Sequence, residues 1–285
     1  MNGWRVRETF IRGKAGDVRL CEDLLVETPR FAGVIDSTSG FAVSTEQDQG
    51  VSFGRLIGVE VLRALESAGA DESVYDIVQN AVSQVAALKQ SRGFGNRHTG
   101  GAFFCVMDLR HEELWRLGDC WYALDGRASK PVLAVEAPLT ELRSAYLWAR
   151  RLAGESDEKL MADRPETALV AEYLKVKDAF ANSTGSERCY GAINGDPVPR
   201  VFIERVAIPS TARTVVIGTD GYPVSGTSVA EVEAALARAL QDDPLMIELH
   251  RGPKGLAPGL SSYDDRALVA LERVPTVYRP APRLL

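Results

Sequence analysis

The sequence predicts an α+β fold in which two antiparallel sheets pack together with helices outside. Three observations carry that expectation. Strand-like segments follow one another directly in mid-chain, GAFFCVMD, ELWRLGD and CWYALDG, separated only by tight turns. Consecutive strands of this kind favour antiparallel pairing over the strict strand–helix alternation of a doubly wound sheet. Helical patterns stand before and after this meander instead of between its strands. The chain has 285 residues, 45% apolar and 25% charged, enough to bury the inner faces as one domain, 1–285.

Taken in order, FAGVIDSTSG (31–40) begins as a strand on Phe31, Val34 and Ile35 and ends at Asp36 in a polar turn. Two helices follow. The first is carried by Phe53, Leu56, Ile57, Val61 and Leu65, and the second by Val74, Ile77, Val78, Ala81, Val82, Val85 and Leu88 on one face. RGFGNRHTGG reads as a loop, with His98 as a hydrogen-bonding loop residue. In the meander, Gly118-Asp119 marks one tight turn and Asp125-Gly126 a two-residue hairpin. A further strand is expected near Pro131–Val135. Leu139–Leu152 and about Pro165–Phe180 show helical periodicity, with SDEKLMADRP as a loop between them. Arg143, Arg150 and Arg151 read as a solvated helix face. VFIERVAI and RTVVIG are strands. A helix starts at Ser228, with Glu231 three residues on as a capping box and Val229, Val232, Leu236 and Leu240 facing inward. RGPKGLAPGLSS is a flexible loop, and ALVALERV closes the fold as a strand.

The net charge of −6 argues against nucleic acid or an anionic membrane as partner. The longest apolar run, Ala102 to Met107, is far short of the roughly 20 residues of a membrane span. The start, MNGWRVRETFIRGK, has no signal-peptide core, so a cytoplasmic protein is expected. Cys21, Cys105, Cys120 and Cys189 lack CxxC spacing and suggest no zinc site. Cys105 and Cys120 read as buried thiols. With only His98, His111 and His250 for a base, a Cys/His hydrolase is disfavoured. The chemistry falls to carboxylates.

Acids recur at strand ends: Asp36 after Val34-Ile35, Asp119 after Leu117, Asp220 after Val215-Val216-Ile217, and Asp264 before a terminal apolar run, with Glu22-Asp23 upstream. Singly, such an Asp is most often a turn former or cap. Gathered at one sheet edge, they would repel strongly unless a divalent cation offset their charge, and hard oxygen ligands suit magnesium or manganese.

The segments GDVRLCEDLLV, FAGVIDSTSG, LWRLGDCWYAL, VVIGTDGYPV and YDDRALVAL occur in the order of the signature segments of the metal-dependent protein phosphatases (PPM, or type 2C), which the chain resembles from Arg19 to Leu271. The resemblance implies a four-layer α/β/β/α sandwich with two Mn2+ or Mg2+ ions, and a third position, in the cleft between the sheets. By position, Asp36 would bridge the metals and the Ser37 carbonyl would add a ligand, while Glu22 would hold one ion and Asp220 and Asp264 the other. Asp23 would bind a metal water, and Asp119 would join Asp220 at the third position or structure its turn. Val18 stands where the family has its phosphate-binding Arg, leaving the adjacent Arg19, or Arg12, as the candidate. Residues 139–199 correspond to the family's variable flap. The implied reaction is phosphomonoester hydrolysis by a metal-activated water, most plausibly on phosphoserine or phosphothreonine of a protein substrate such as a kinase or its targets. Two alternatives stay open: a non-catalytic PPM-fold binding module, and a phosphatase for a small metabolite.

Overall fold

A computed structural model of the chain describes residues 3–40, 47–48, 50–94 and 99–274. His98 lies outside them. The elements run β1 (Gly3–Arg12), β2 (Leu24–Glu27), β3 (Phe31–Ser39), a small hairpin of β4 (Gln47–Asp48) and β5 (Val51–Ser52), α1 (Phe53–Glu66), α2 (Val74–Ser91), β6 (Gly100–Asp108), β7 (Glu113–Leu117), β8 (Trp121–Leu124), β9 (Arg127–Ser129), α3 (Ala137–Leu152), α4 (Asp157–Asp163), α5 (Glu166–Val176), β10 (Glu204–Ala207), β11 (Thr214–Gly218), α6 (Val229–Asp242) and β12 (Arg266–Val274).

The strands form two five-stranded sheets, ordered β10-β7-β6-β3-β2 and β1-β12-β11-β8-β9. Strand periodicity explains how they stack, because alternate side chains leave a strand on opposite faces. In β3 and β6, Ala32, Val34, Cys105 and Met107 meet Val215, Ile217, Val269 and Leu271 of the other sheet. Their neighbours Phe31, Ile35, Phe104 and Val106 face Ile57, Val61, Ile77 and Val78 of α1 and α2. On the far side Val216, Leu268 and Ala270 pack against Val232 and Leu236 of α6. The result is the expected α/β/β/α layering. A separate small core of Leu147, Leu160, Leu245 and Ile247 joins α3 and α4 to the loop after α6.

Local chemistry sets most boundaries. Ser52 and Ser73 cap α1 and α2 by accepting the amides of Arg55 and Asp76. Asp125 and Gly126 both take positive φ, 46° and 78°, as the β8–β9 hairpin requires. Ser228 caps α6 at 3.3 Å, but Glu231 reaches back to the Thr227 amide, at 2.8 Å, one residue earlier than a capping box would place it.

Several expectations are corrected. β1 was not foreseen, although Trp4, Val6 and Phe10 are among its half-buried positions; a bulge between Val6 and Glu8 shifts its pairing. β3 does not end at Asp36: Asp36 pairs with Phe103 and pairing continues to Ser39 opposite Gly100. No strand forms at 131–135; β9 stops at Ser129, and Pro131 has no amide to extend a ladder. The predicted loop 156–165 contains α4, capped by Ser156 accepting the Lys159 amide. The helix expected to run to Phe180 ends at Val176 and tightens into a 3-10 turn, Lys177–Phe180. Arg143 is not solvated. It is 2% exposed, 3.6 Å from Glu166, and donates to the carbonyls of Met246 and Gly252.

Candidate metal centre

The topology brings the separated acids to one end of the two sheets. Leu24 of β2 pairs with Ile35, so Glu22 and Asp23 rise beside Asp36 and Ser37. Asp119 lies in the turn that carries the chain from β7 in one sheet to β8 in the other. Gly218 pairs with Leu268, so Asp220 and Asp264 flank the same end of the β11–β12 ladder. Glu22, Asp36, Asp119, Asp220 and Asp264 thereby line one cleft of about 280 Å³, together with Lys89, Lys177 and Lys254. A recess of about 480 Å³ continues past Lys254, sharing Asp119, Asp220 and Asp264. Segment 139–199 supplies one wall through Leu174, Lys177, Asp178 and Tyr190.

The polar residues after Asp36 have a positional role. Ser39 donates its amide (3.2 Å) and hydroxyl to the Glu22 carboxylate, and its hydroxyl accepts the Gly54 amide at 2.9 Å. The Ser37 hydroxyl donates to the Glu22 carbonyl. Arg55 of α1 donates to the Cys21 carbonyl at 2.6 Å. Thus the start of α1 fixes the Glu22 segment against β3. Asp265 works from the other sheet, accepting the Lys14 amide at 2.8 Å and the Glu22 amide at 3.0 Å.

Gly221 explains the Gly of the TDG motif. A Cβ there would stand 1.9 Å from the Asp265 carbonyl oxygen. Gly221→Ala is therefore expected to lose about 1–3 kcal/mol, the usual range for overpacking. Denaturant unfolding measures it, and an unchanged midpoint would refute the close approach.

The electrostatics divide the cleft. Burial, then the carboxylates of Asp220, Asp23 and Asp119, push the Asp36 carboxyl well above the ordinary range. Burial, then Asp220, raises Asp119; burial, then Asp265, raises Asp23. Burial and then Asp264 raise Asp220, while the ammonium groups of Lys254 and Lys130 oppose the rise without cancelling it. Carboxylates so crowded share protons or need a cation. Asp264 is different. Burial would raise it too, but the ammonium groups of Lys254 and Lys14 overcome that and hold it below the carboxylate range.

These observations test the donor set. Asp119 Oδ1 and Asp23 Oδ2 are buried without a hydrogen-bond partner, and Asp36 and Asp220 are both raised by burial and neighbouring carboxylates. That side fits a hard divalent cation. As they stand, no three His, Cys, Asp or Glu among the described residues form a ready cage. The reason is visible in the partners: Glu22 is turned onto Ser39, and Asp264 onto two lysines.

Of the sequence-predicted site residues, Glu22, Asp36, Ser37, Asp119, Asp220 and Asp264 line the cleft, and Asp23 is buried beside them. Arg19 is corrected. Its side chain is 82% exposed, pairs with Asp17 at 2.7 Å, and does not line the cleft, because Asp17 also caps the 3-10 turn at 18–20. The sequence reading missed Lys14, Lys177 and Lys254. A lysine between glycines and prolines in 251–262 was the available signal for the last. Burial pushes the Cys105 thiol up to about 12 and raises Cys120 as well, so these buried thiols are no source of thiolate.

No protein-family model and no curated protein matches the chain. Among solved structures, the catalytic domain of the serine threonine protein phosphatase PstP in complex with two manganese ions matches with a TM-score of 0.51 and 16% identity, over 96% of this chain and 100% of that one. The Mycobacterium tuberculosis serine/threonine phosphatase PstP/Ppp gives 0.48 and 15%, over 95% and 98%. The serine/threonine phosphatase Stp1 from Staphylococcus aureus gives 0.48 and 11%, over 96% of each chain. The first of these establishes the fold: two antiparallel sheets flanked by helices, as in that phosphatase domain. Among the described residues, no helix is long and apolar enough to cross a membrane.

Proposed function

We propose that this chain is a single-domain, metal-dependent phosphatase that hydrolyses phosphomonoesters, with phosphoserine and phosphothreonine of proteins as its substrates. One observation carries the reading: five acids from five separate segments, Glu22, Asp36, Asp119, Asp220 and Asp264, line one cleft between the sheets. Such a cluster ionises in the fold only with a cation beside it.

Asp36, Asp119 and Asp220 would hold manganese or magnesium, with Glu22, Asp264 and the Ser37 carbonyl as further donors and Asp23 beside them. When bound, such ions lower the pKa of a shared water and offset charge developing on phosphoryl oxygens. The chain's own part is placement. Ser39 and Arg55 fix the Glu22 segment, Asp265 ties it to the second sheet, pairing with Phe103 of β6 holds Asp36, and Asp220 follows directly on the end of β11. Once bound metal offsets the acids, Lys177 and Lys89 are the cationic side chains of the cleft that would face a phosphate dianion, the task Arg19 does not reach. The wall formed by segment 139–199 would select the substrate.

The test is manganese-dependent hydrolysis of p-nitrophenyl phosphate, followed by a panel of phosphothreonine peptides against sugar and nucleotide phosphates. Turnover that disappears in EDTA and returns with manganese is expected, with peptides preferred. Manganese binding without turnover would instead identify a binding module, and preference for a small phosphate a metabolite enzyme.

A further inference from the structure

Lys254 sits in a segment that composition marks as flexible, yet the structure pins it. The buried Arg143 donates to the Gly252 carbonyl at 3.4 Å, and the Leu256 amide donates to the Pro244 carbonyl at 2.8 Å. At Gly255 any side chain is excluded, since a Cβ would lie 2.5 Å from Arg143 Nη2 and 2.6 Å from the Leu245 carbonyl oxygen. From this fixed loop the Lys254 ammonium donates to Asp264 Oδ2. Lys14 holds the other oxygen, Nζ to Oδ1 at 3.0 Å, and the Asp265 amide reaches the same atom at 3.0 Å. Both oxygens of Asp264 are therefore engaged. Among the described residues no ion pair within contact distance involves Asp36, Asp119 or Asp220; Lys254 and Lys130 act on Asp220 only from further away, and Asp119 Oδ1 is left without a partner.

We infer that Lys254 is a built-in cation of the cleft: its ammonium occupies the Asp264 side, so that divalent ions fill the Asp36–Asp119–Asp220 side first and reach Asp264 only by displacing it. The inference rests on the metal-dependent reading above and adds a stoichiometry to it. An ammonium carries one charge on a flexible stem, so a divalent ion must both break its contact with Asp264 and tolerate the displaced charge nearby. With 48% of its side chain solvent-exposed, Lys254 has room to move aside.

Manganese binding is to be measured by titration calorimetry and by metal analysis after dialysis, on the full chain, for wild type, Lys254→Met and Lys254→Arg. Circular dichroism checks each fold, and Lys254→Gln replaces the Met variant if that does not fold. Lys254→Met should bind one more manganese ion per chain, or bind its weaker ion roughly tenfold or more tighter, as loss of a like charge at contact distance implies. Lys254→Arg should behave as wild type. Equal stoichiometry and affinity in wild type and Lys254→Met would overturn the inference while leaving the metal centre intact. No manganese bound by any variant would overturn the metal centre and this inference with it.

Discussion

Asp36→Asn is expected to lower phosphomonoester turnover by about a thousandfold while making the metal-free protein more stable. The two effects have one cause. Asp36 is the acid that faces Asp220, Asp23, Asp119 and Asp264 together. Its ionised form repels them, so the folded chain without a cation is strained by its presence. An amide of the same shape removes that repulsion, adding on the order of 1 kcal/mol or more of stability in EDTA, the worth of one pKa unit of differential interaction. Catalysis moves the other way, because metal-borne stabilisation of the transition state is worth several kcal/mol, and each 1.36 kcal/mol is about tenfold in rate. Unfolding in guanidinium with EDTA, beside p-nitrophenyl phosphate kinetics with manganese, reads both. A variant that loses stability and activity together would make Asp36 an ordinary structural residue and remove it from the centre.

The second large effect is a pH dependence of unusual sign. Asp23, Asp36, Asp119 and Asp220 all have folded pKa values above the ordinary carboxylate value, through burial first and neighbouring acids second. Their contribution is fully present below the unfolded pKa near ~3.9. As pH rises past that point the unfolded chain releases protons that the fold retains, and stability falls until pH passes the folded values. Each group costs up to about 1.4 kcal/mol per pH unit within that window. Asp264 and Asp108 are shifted down; their contribution is lost only on acidification and is constant above about pH 5. In EDTA the unfolding free energy should therefore decline from about pH 5 to pH 8. With manganese the decline should flatten or reverse, since an ion bound to the ionised fold stabilises it by mass action. Stability in EDTA that is level or rises across the range would contradict the carboxylate repulsion.

How much of this could be read without coordinates varies with the physics involved. The layers followed from the consecutive strands of the meander and the 3.6-residue repeat of α2, whereas the alternation that sends Phe31 and Ile35 to the helices and Ala32 and Val34 to the other sheet shows only in the fold. The acids at strand ends were visible because an apolar run that stops at an Asp is locally odd. What failed was everything decided at long range. Ser37, Thr38 and Ser39 look like a strand terminator in isolation, yet pairing with β6 overrides that, and Ser39 instead holds Glu22. Arg143 has the spacing of a solvated helix face, and only tertiary contact with Glu166 and two carbonyls buries it. Arg19 was chosen by adjacency, a poor guide where a capping Asp two residues earlier turns the side chain outward. Lys254 was hidden for the opposite reason: a lysine among glycines and prolines has no periodicity to betray where it points.

The hydrophobic layer between the sheets has a consequence of its own. Glu22 and Asp36 hang from one sheet and Asp220 and Asp264 from the other, so the filling formed by Cys105, Met107, Ile217 and Val269 acts as a calliper whose thickness sets the gap between the two jaws. Slimming or fattening that filling, far from any charged group, should retune which cation radius the jaws grip.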